Sequence, residues 1–539
     1  MKRFTLAAFC LISAAVPVLA QGQKDSLASL IQSGNRKAAL DRIRAGADVN
    51  EAQPDGTRPV HWAVYRVDHE LLQALIARKA KVDVTNDFGS TPLAEAVKLA
   101  DATMVKMLLD AGAGVEGANQ DGQTALMLAI KAGELPIVEL LMKAGANVNV
   151  IEKFEGQTPL MWAVVAPKNA SEMTKLLLAK DANVKIRAKY QDWPNQVTSE
   201  PRAQYRPVGG LTAMLYAARN GCYACVESLI GAGADVNLPT PEGVTPLMIA
   251  LDNEHNDVAR LLLEHGANPY LRDWWGRTAL YIVIDRKPPP GGGGGRGGRG
   301  GGAGVAARTT GVPITGGPSM EIINTLLAAG VDVNAELNFH RPSRGGNSGR
   351  FGEEQLNTGT TPLFRATQSN DMEVIRALLD KGANTNINAM GFTAFLLAAG
   401  VSPAGGGTPN MALLDLMFEH GAEVNTQVTG TRSYSMRISY HPPADQEGVS
   451  ALHQAARAGR TDLVRYLLAK GANTDLVDAD GKKAIDLVAP TSLPGGIARG
   501  VATAPAPAAG TRGGPGPAAV SPATAAEIRA LLEKAASKN

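Results

Sequence analysis

Residues 243–268 read GVTPLMIALDNEHNDVARLLLEHGAN, and the fold follows from this stretch. Gly243, after Glu242, tolerates the positive φ of a tight turn. The Thr245 hydroxyl suits the free N–H groups of a helix start, and Pro246 suits that helix's first position. Leu262 and Leu263 mark the buried stripe of a second helix, which Gly266 ends with a left-handed cap.

Working outward, the same phrase returns along the chain. Turn glycines fall at Gly56, Gly89, Gly122, Gly156, Gly210, Gly243, Gly276, Gly359, Gly391, Gly448 and Gly481, most of them 32 to 34 residues apart. Leucine pairs recur at Leu108-Leu109, Leu140-Leu141, Leu378-Leu379 and Leu467-Leu468, each followed by a glycine at 112, 145, 382 or 471. A fixed period of this length is the signature of stacked helix pairs, each burying its apolar stripe against its neighbours.

Thr-Pro-Leu, an Ala-rich first helix, a Leu-Leu second helix and a Gly-Ala-Asp-Val-Asn return together resemble the ankyrin repeat over residues 24 to 535. The resemblance implies an all-α solenoid of about 11 to 12 helix pairs joined by β-hairpin fingers, with fingers and first helices lining a concave binding face. Lys79 and Asp181 replace the helix-ending glycine, Arg58-Pro59-Val60 replaces Thr-Pro-Leu, and Lys482-Lys483-Ala484-Ile485 does so in the last repeat. His61 and His453 hold the place of the repeat's structural histidine; His265 and His420 stand beside the helix-ending glycine, within reach of the last carbonyls.

The expected organisation is a leader at 1–20, an N-terminal array at 21–287, a Gly-rich flexible insertion inside a repeat at 288–318, and a C-terminal array at 319–489. A Pro/Ala/Gly-rich insertion at 490–522 and a capping helix at 523–539 complete it. The repeat split by 288–318 is the expected hinge. Lys2 and Arg3, the apolar run from Phe4 to Leu19 and the small Ala20 read as a secretory signal. The bacterial periplasm is then the first compartment and secretion the second. No later stretch is apolar enough for a membrane span.

The formal charge is +2, two of it from the leader, but its distribution is uneven. Insertions at 187–208, 288–318, 338–358, 428–446 and 490–522 together carry +9, leaving about −9 on the repeats. Three of these lie in fingers and mix arginine with aromatics: Tyr190, Trp193, Tyr205 and Arg206; Phe339 and Arg341; Arg432, Tyr434, Arg437 and Tyr440. Those residue types are enriched at interface hot spots. The insertions at 288–318 and 490–522 read as tethers. The Gly-Arg run at 291–304 lacks interleaved aromatics, which argues against nucleic-acid binding.

Further partner-binding candidates stand just before the turn glycines: Phe88, Phe154 and the pair Trp274 and Trp275. Exposed paired indoles call for a partner, whereas packing against neighbouring fingers is the alternative. Trp62 and Trp162 lie inside first helices and read as packing residues. Cys222 and Cys225, a Cys-x-x-Cys at a helix start, are the only thiols after the leader. Without a strand-helix-strand setting they read as structural, free or disulfide-bonded. No Walker loop, His-Glu-x-x-His or Gly-x-Ser-x-Gly is present. No catalytic residue, metal or cofactor is expected.

The function expected is therefore a non-enzymatic, monomeric scaffold for partner proteins, with its main contact between the fingers at 187–208 and 273–276. The alternative is an envelope component that binds anionic glycans or lipopolysaccharide through its basic loops.

Overall fold

The computed structural model describes residues 26–191, 208–287, 320–337, 359–389, 391–402, 407–429, 446–488 and 520–537. The leader, the Gly-rich insertion, Trp193, Tyr205, Arg206, Arg432, Tyr434, Arg437 and Tyr440 lie outside the described residues.

The chain forms two compact units, one running to Lys189 and taking in Gly231–Gly233, the other comprising the rest. The first holds helices Leu27–Gln32 and Arg36–Arg44, then the pairs Pro59–Tyr65 with His69–Ala77, Pro92–Lys98 with Ala102–Asp110, Ala125–Ala132 with Leu135–Lys143, and Pro159–Ala163 with Ala170–Leu178. The second continues the pattern from Ala213–Asn220 and Tyr223–Gly231 through Ala451–Arg457 and Thr461–Ala469. The first helix of the final repeat is a 3-10 turn, Ala484–Leu487, where Lys483-Ala484 stands in place of Thr-Pro. Helix Pro522–Ala536 packs on it and on Thr461–Ala469, burying Ala525, Ile528 and Leu532.

The division differs from the expected hinge at 288–318. Helices Ala279–Arg286 and Met320–Ala328, either side of that insertion, pack together within the second unit as one repeat. Among the described residues the fold is all-α apart from isolated bridges and one short antiparallel ribbon, in which Tyr190 pairs with Gly209 and Gln191 with Val208 at the base of a finger.

Local chemistry explains each boundary. Thr91, Thr124, Thr158, Thr212, Thr245, Thr278, Thr361 and Thr393 all accept a backbone N–H from the first turn of the helix they open. Arg58 has no hydroxyl to do this. His61 accepts the Arg58 N–H on Nδ1 at 3.1 Å, while Nε2 donates to the Ser90 carbonyl at 3.2 Å. His453 does the same between Ser450 and the Lys482 carbonyl. Burial lowers the pKa of both rings, and the backbone carbonyls they serve offset only part of that.

A second recurrent bond joins neighbouring repeats. The asparagine ending each Gly-Ala-Asp/Asn-Val-Asn phrase donates its amide to the carbonyl that closes the next repeat's second helix. Asn149 reaches Asp181, Asn237 reaches Gly266, Asn334 reaches Gly382 and Asn386 reaches Gly421. The same side chains accept in return, Asn237 from Asn268 N–H at 2.6 Å and Asn334 from Asn384 N–H at 2.8 Å. Lys79 and Asp181 take up the left-handed conformation of the glycines they replace, with φ of 63° and 60°.

Candidate functional site

The fingers are registered by a backbone ladder at their tips. Asp87 N–H donates to Asp55 O at 2.9 Å, Lys153 to Asp121 at 2.7 Å and Lys189 to Glu155 at 2.7 Å in the first unit. Trp274 donates to Glu242 at 2.8 Å and Ala479 to Glu447 at 2.9 Å in the second. The residue after the ladder donor is thrust outward in the first unit: Phe88 is 70 % exposed and Phe154 75 %.

In the second unit Trp275 holds that same place and yet is buried, so of the two readings of this indole packing holds and an exposed partner contact does not. Buried Glu152 makes the same backbone bonds beside Phe154, so what sets this tip apart is the Arg277 side chain, held by the buried carboxylate of Asp273. That carboxylate accepts from Trp275 N–H at 3.0 Å, from Arg277 N–H at 2.8 Å and from Arg277 Nε at 2.6 Å. The Arg277 guanidinium then lies 5.4 Å from the Trp275 ring centroid. Burial would pull the Arg277 pKa down, but the charges of Asp252 and Asp273 outweigh it and raise it. Trp274 remains 42 % exposed and Tyr190 is exposed at the base of its finger.

Behind the tips of the first unit, the open face of the first helices carries a row that sequence reasoning assigned to packing. Trp62 and Trp162 are half-buried, one repeat-position each, with Glu95 and Leu128 between them in the stack. Each indole is held by a glutamine of its own finger, Trp62 Nε1 donating to Gln53 at 2.8 Å and Trp162 Nε1 to Gln157 at 2.6 Å. Tyr65 meets Trp62 edge-on at 5.7 Å, and Lys131 Nζ stands 5.5 Å over Trp162. A groove of about 200 Å³ opens between two fingers here, bounded by Phe88, Asn119 and Asp121 and floored by Ala94, Lys98 and Leu128. The signal that could have found this row was the residue after the histidine position in each repeat, where a core role would call for a smaller side chain.

That position is closed in part of the second unit: Ile282 and Arg365 are each 1 % exposed. Arg365 is held there by one of several ion pairs in this region. Asp252 pairs with Arg286 at 2.6 Å and with Arg277 at 3.5 Å, Asp285 with Arg365 at 2.5 Å, and Asp371 with Lys287. Asp252 and Asp285 anchor these pairs. Cys222 and Cys225 are joined as a disulfide. Among the described residues no helix is long and apolar enough to cross a membrane.

Three ankyrin-repeat models match this chain: "Ankyrin repeats (3 copies)" at 20–117, 100–188 and 199–287, "Ankyrin repeats (many copies)" at 444–488 and "Ankyrin repeat" at 358–389. The chain belongs to the ankyrin-repeat family. It is 24 % identical over 366 residues to the E3 ubiquitin-protein ligase KEG of Arabidopsis thaliana, covering 64 % of this chain and 19 % of that one. It is 40 % identical over 68 residues to an ankyrin repeat-containing protein of Treponema pallidum, covering 13 % and 23 %. To human SH3 and multiple ankyrin repeat domains protein 2 it is 29 % identical over 189 residues, covering 32 % and 9 %. The chain thus spans less than a quarter of the length of these relatives. Among solved structures, it aligns with the ankyrin repeat domain of Bcl-3 (24 % identity, 42 % of this chain and 94 % of that one, TM-score 0.35). The human ASB11 ankyrin repeat domain aligns similarly (22 %, 45 % and 98 %, TM-score 0.35). Ankyrin repeats are protein–protein interaction modules.

Proposed function

We propose that this ankyrin-repeat chain is a non-enzymatic scaffold exported to the cell envelope, holding a partner protein on the finger-lined face of its first unit. The observation that carries this reading is the set Trp62, Trp162, Phe88 and Phe154. Two indoles held in place by glutamines lie behind two phenylalanines exposed at finger tips. Pre-oriented aromatics lose little freedom on binding and serve as interface anchors. A stable interface needs only about 800 Å² from each partner, and a few adjacent repeats supply that.

The contact first expected at the fingers 187–208 and 273–276 is weaker support, since Trp275 is buried. Export rests on the leader at 1–20, with the periplasm as destination.

Affinity capture from envelope extract tests the reading, with the wild-type chain beside Phe88→Ser/Phe154→Ser and Trp274→Ser variants of verified fold. A protein kept by wild type and Trp274→Ser but lost by the double phenylalanine variant supports it. Equal retention by all three, released by salt as an anionic glycan would be, sinks it. Cell fractionation of a tagged chain tests export separately: recovery from the cytoplasm alone would count against it.

A further inference from the structure

The Cys222–Cys225 bridge joins residues three apart in sequence. A disulfide stabilises mainly by closing a loop in the unfolded chain, so so short a loop gives it little to do. Its two ends are already fixed without it. Cys222 N–H donates to the Ala217 carbonyl at 3.1 Å, and Val226 N–H to the Cys222 carbonyl at 3.0 Å, which sets Cys222 at the mouth of helix Tyr223–Gly231 and Cys225 in its first turn. Gly221, just before, holds φ +69°, and a Cβ there would come within 2.4 Å of the His255 ring, so this turn is closely packed. Backbone bonds and packing therefore hold this turn alongside the bridge.

Its two sulfurs differ in access. Cys225 is fully buried, while Cys222 is only partly covered and stands beside Tyr223, which is 41 % exposed. Both sulfurs lie at the N-terminal end of helix Tyr223–Gly231, whose dipole favours negative charge there. An attackable outer sulfur, a shielded inner one and a helix start that stabilises thiolate are the requirements of thiol–disulfide exchange.

We propose that Cys222–Cys225 is a reversible exchange site for external thiols, a role separate from partner binding on the finger-lined face. An external thiolate attacks Cys222 Sγ, and the S–S electron pair leaves on Cys225 Sγ, which takes up a proton. The resulting mixed disulfide is resolved by a second external thiolate attacking the external sulfur, which releases Cys222 as a thiolate. The net change is two external thiols oxidised to a disulfide and the Cys222–Cys225 pair reduced to two thiols.

The test uses the full chain carrying Cys10→Ser, so that only this pair remains. It is incubated folded with glutathione mixtures or with a reduced, unfolded cysteine-containing polypeptide, then acid-quenched, alkylated and weighed. In the same background, Cys225→Ser and Cys222→Ser variants are exposed to oxidised glutathione. Expected are reversible reduction with unchanged circular dichroism, and mixed disulfide on Cys222 forming at least tenfold faster than on Cys225. Reaction with either thiol source supports the proposal and identifies the source. A bridge that resists both until the chain unfolds overturns it, as do equal rates for the two variants. Because the chain with both Cys222 and Cys225 intact supplies the first readout, misfolding of either single-cysteine variant would leave the proposal testable.

Discussion

Nε of Arg365 donates to Oδ1 of Asp285 at 2.5 Å, across 80 residues of sequence and across the split repeat. The guanidinium is 1 % exposed and the carboxylate 13 %. Removing one partner of such a pair leaves a buried charge uncompensated, at a cost of about 3–5 kcal/mol. Asp285→Leu should therefore destabilise the second unit by roughly that amount, and adding Arg365→Met should recover much of it. Urea unfolding followed by a probe in the second unit checks this. A single-variant loss below about 1 kcal/mol would mean that water already reaches the pair.

The repeat frame was legible because it is local chemistry restated every 33 residues or so: Thr245 caps, Pro246 starts, Gly266 stops. The ion pairs were not, since Asp285 and Arg365 are brought together only once the stack has formed around an insertion. Trp275 shows the same limit. Its sequence position matches Phe88 and Phe154, but it alone of the three has an arginine, Arg277, held by Asp273 against its ring. The disulfide was open from sequence because spacing alone permits both a free pair and a bridge.

The asparagine ladder predicts a uniform cost. Asn237 gives one hydrogen bond to the Gly266 carbonyl and accepts one from Asn268 N–H. Asn237→Ala should lose about 1–2 kcal/mol, since each net bond is worth about 1 kcal/mol and the site is exposed to water. Asn334→Ala should match it, having equivalent partners. Thermal melts of both variants test this, and unequal losses would show that one interface bears more of the load.

Acid should weaken the stack through its histidines. The folded pKa values of His61, His255 and His453 lie below the ordinary 6.5, with burial the first cause in each. The unfolded chain therefore binds more protons as pH falls below about 6.5, and stability declines from there down to the folded values. The geometry agrees, because protonating Nδ1 of His61 or His453 abolishes the acceptor for a backbone N–H. Denaturant titrations at a series of pH values should show the slope below 6.5, and His61→Gln/His453→Gln should flatten it while lowering stability at pH 7.5. An unchanged slope in the double variant would assign it to other groups.

Val67 turns between its two helices with φ 55°, whereas the equivalent turns at Gly133, Gly221 and Gly459 use glycine at 76°, 69° and 67°. A β-branched residue in the left-handed region costs about 1–2 kcal/mol, against which glycine's extra unfolded-state entropy takes back up to about 1 kcal/mol. Val67 is 46 % exposed, so truncating it removes little packing. Val67→Gly should thus stabilise the first unit, by an amount below about 1 kcal/mol, and Val67→Asn should do so at less entropic cost. A lowered Tm in both variants would mean that the valine side chain packs more usefully than its exposure suggests.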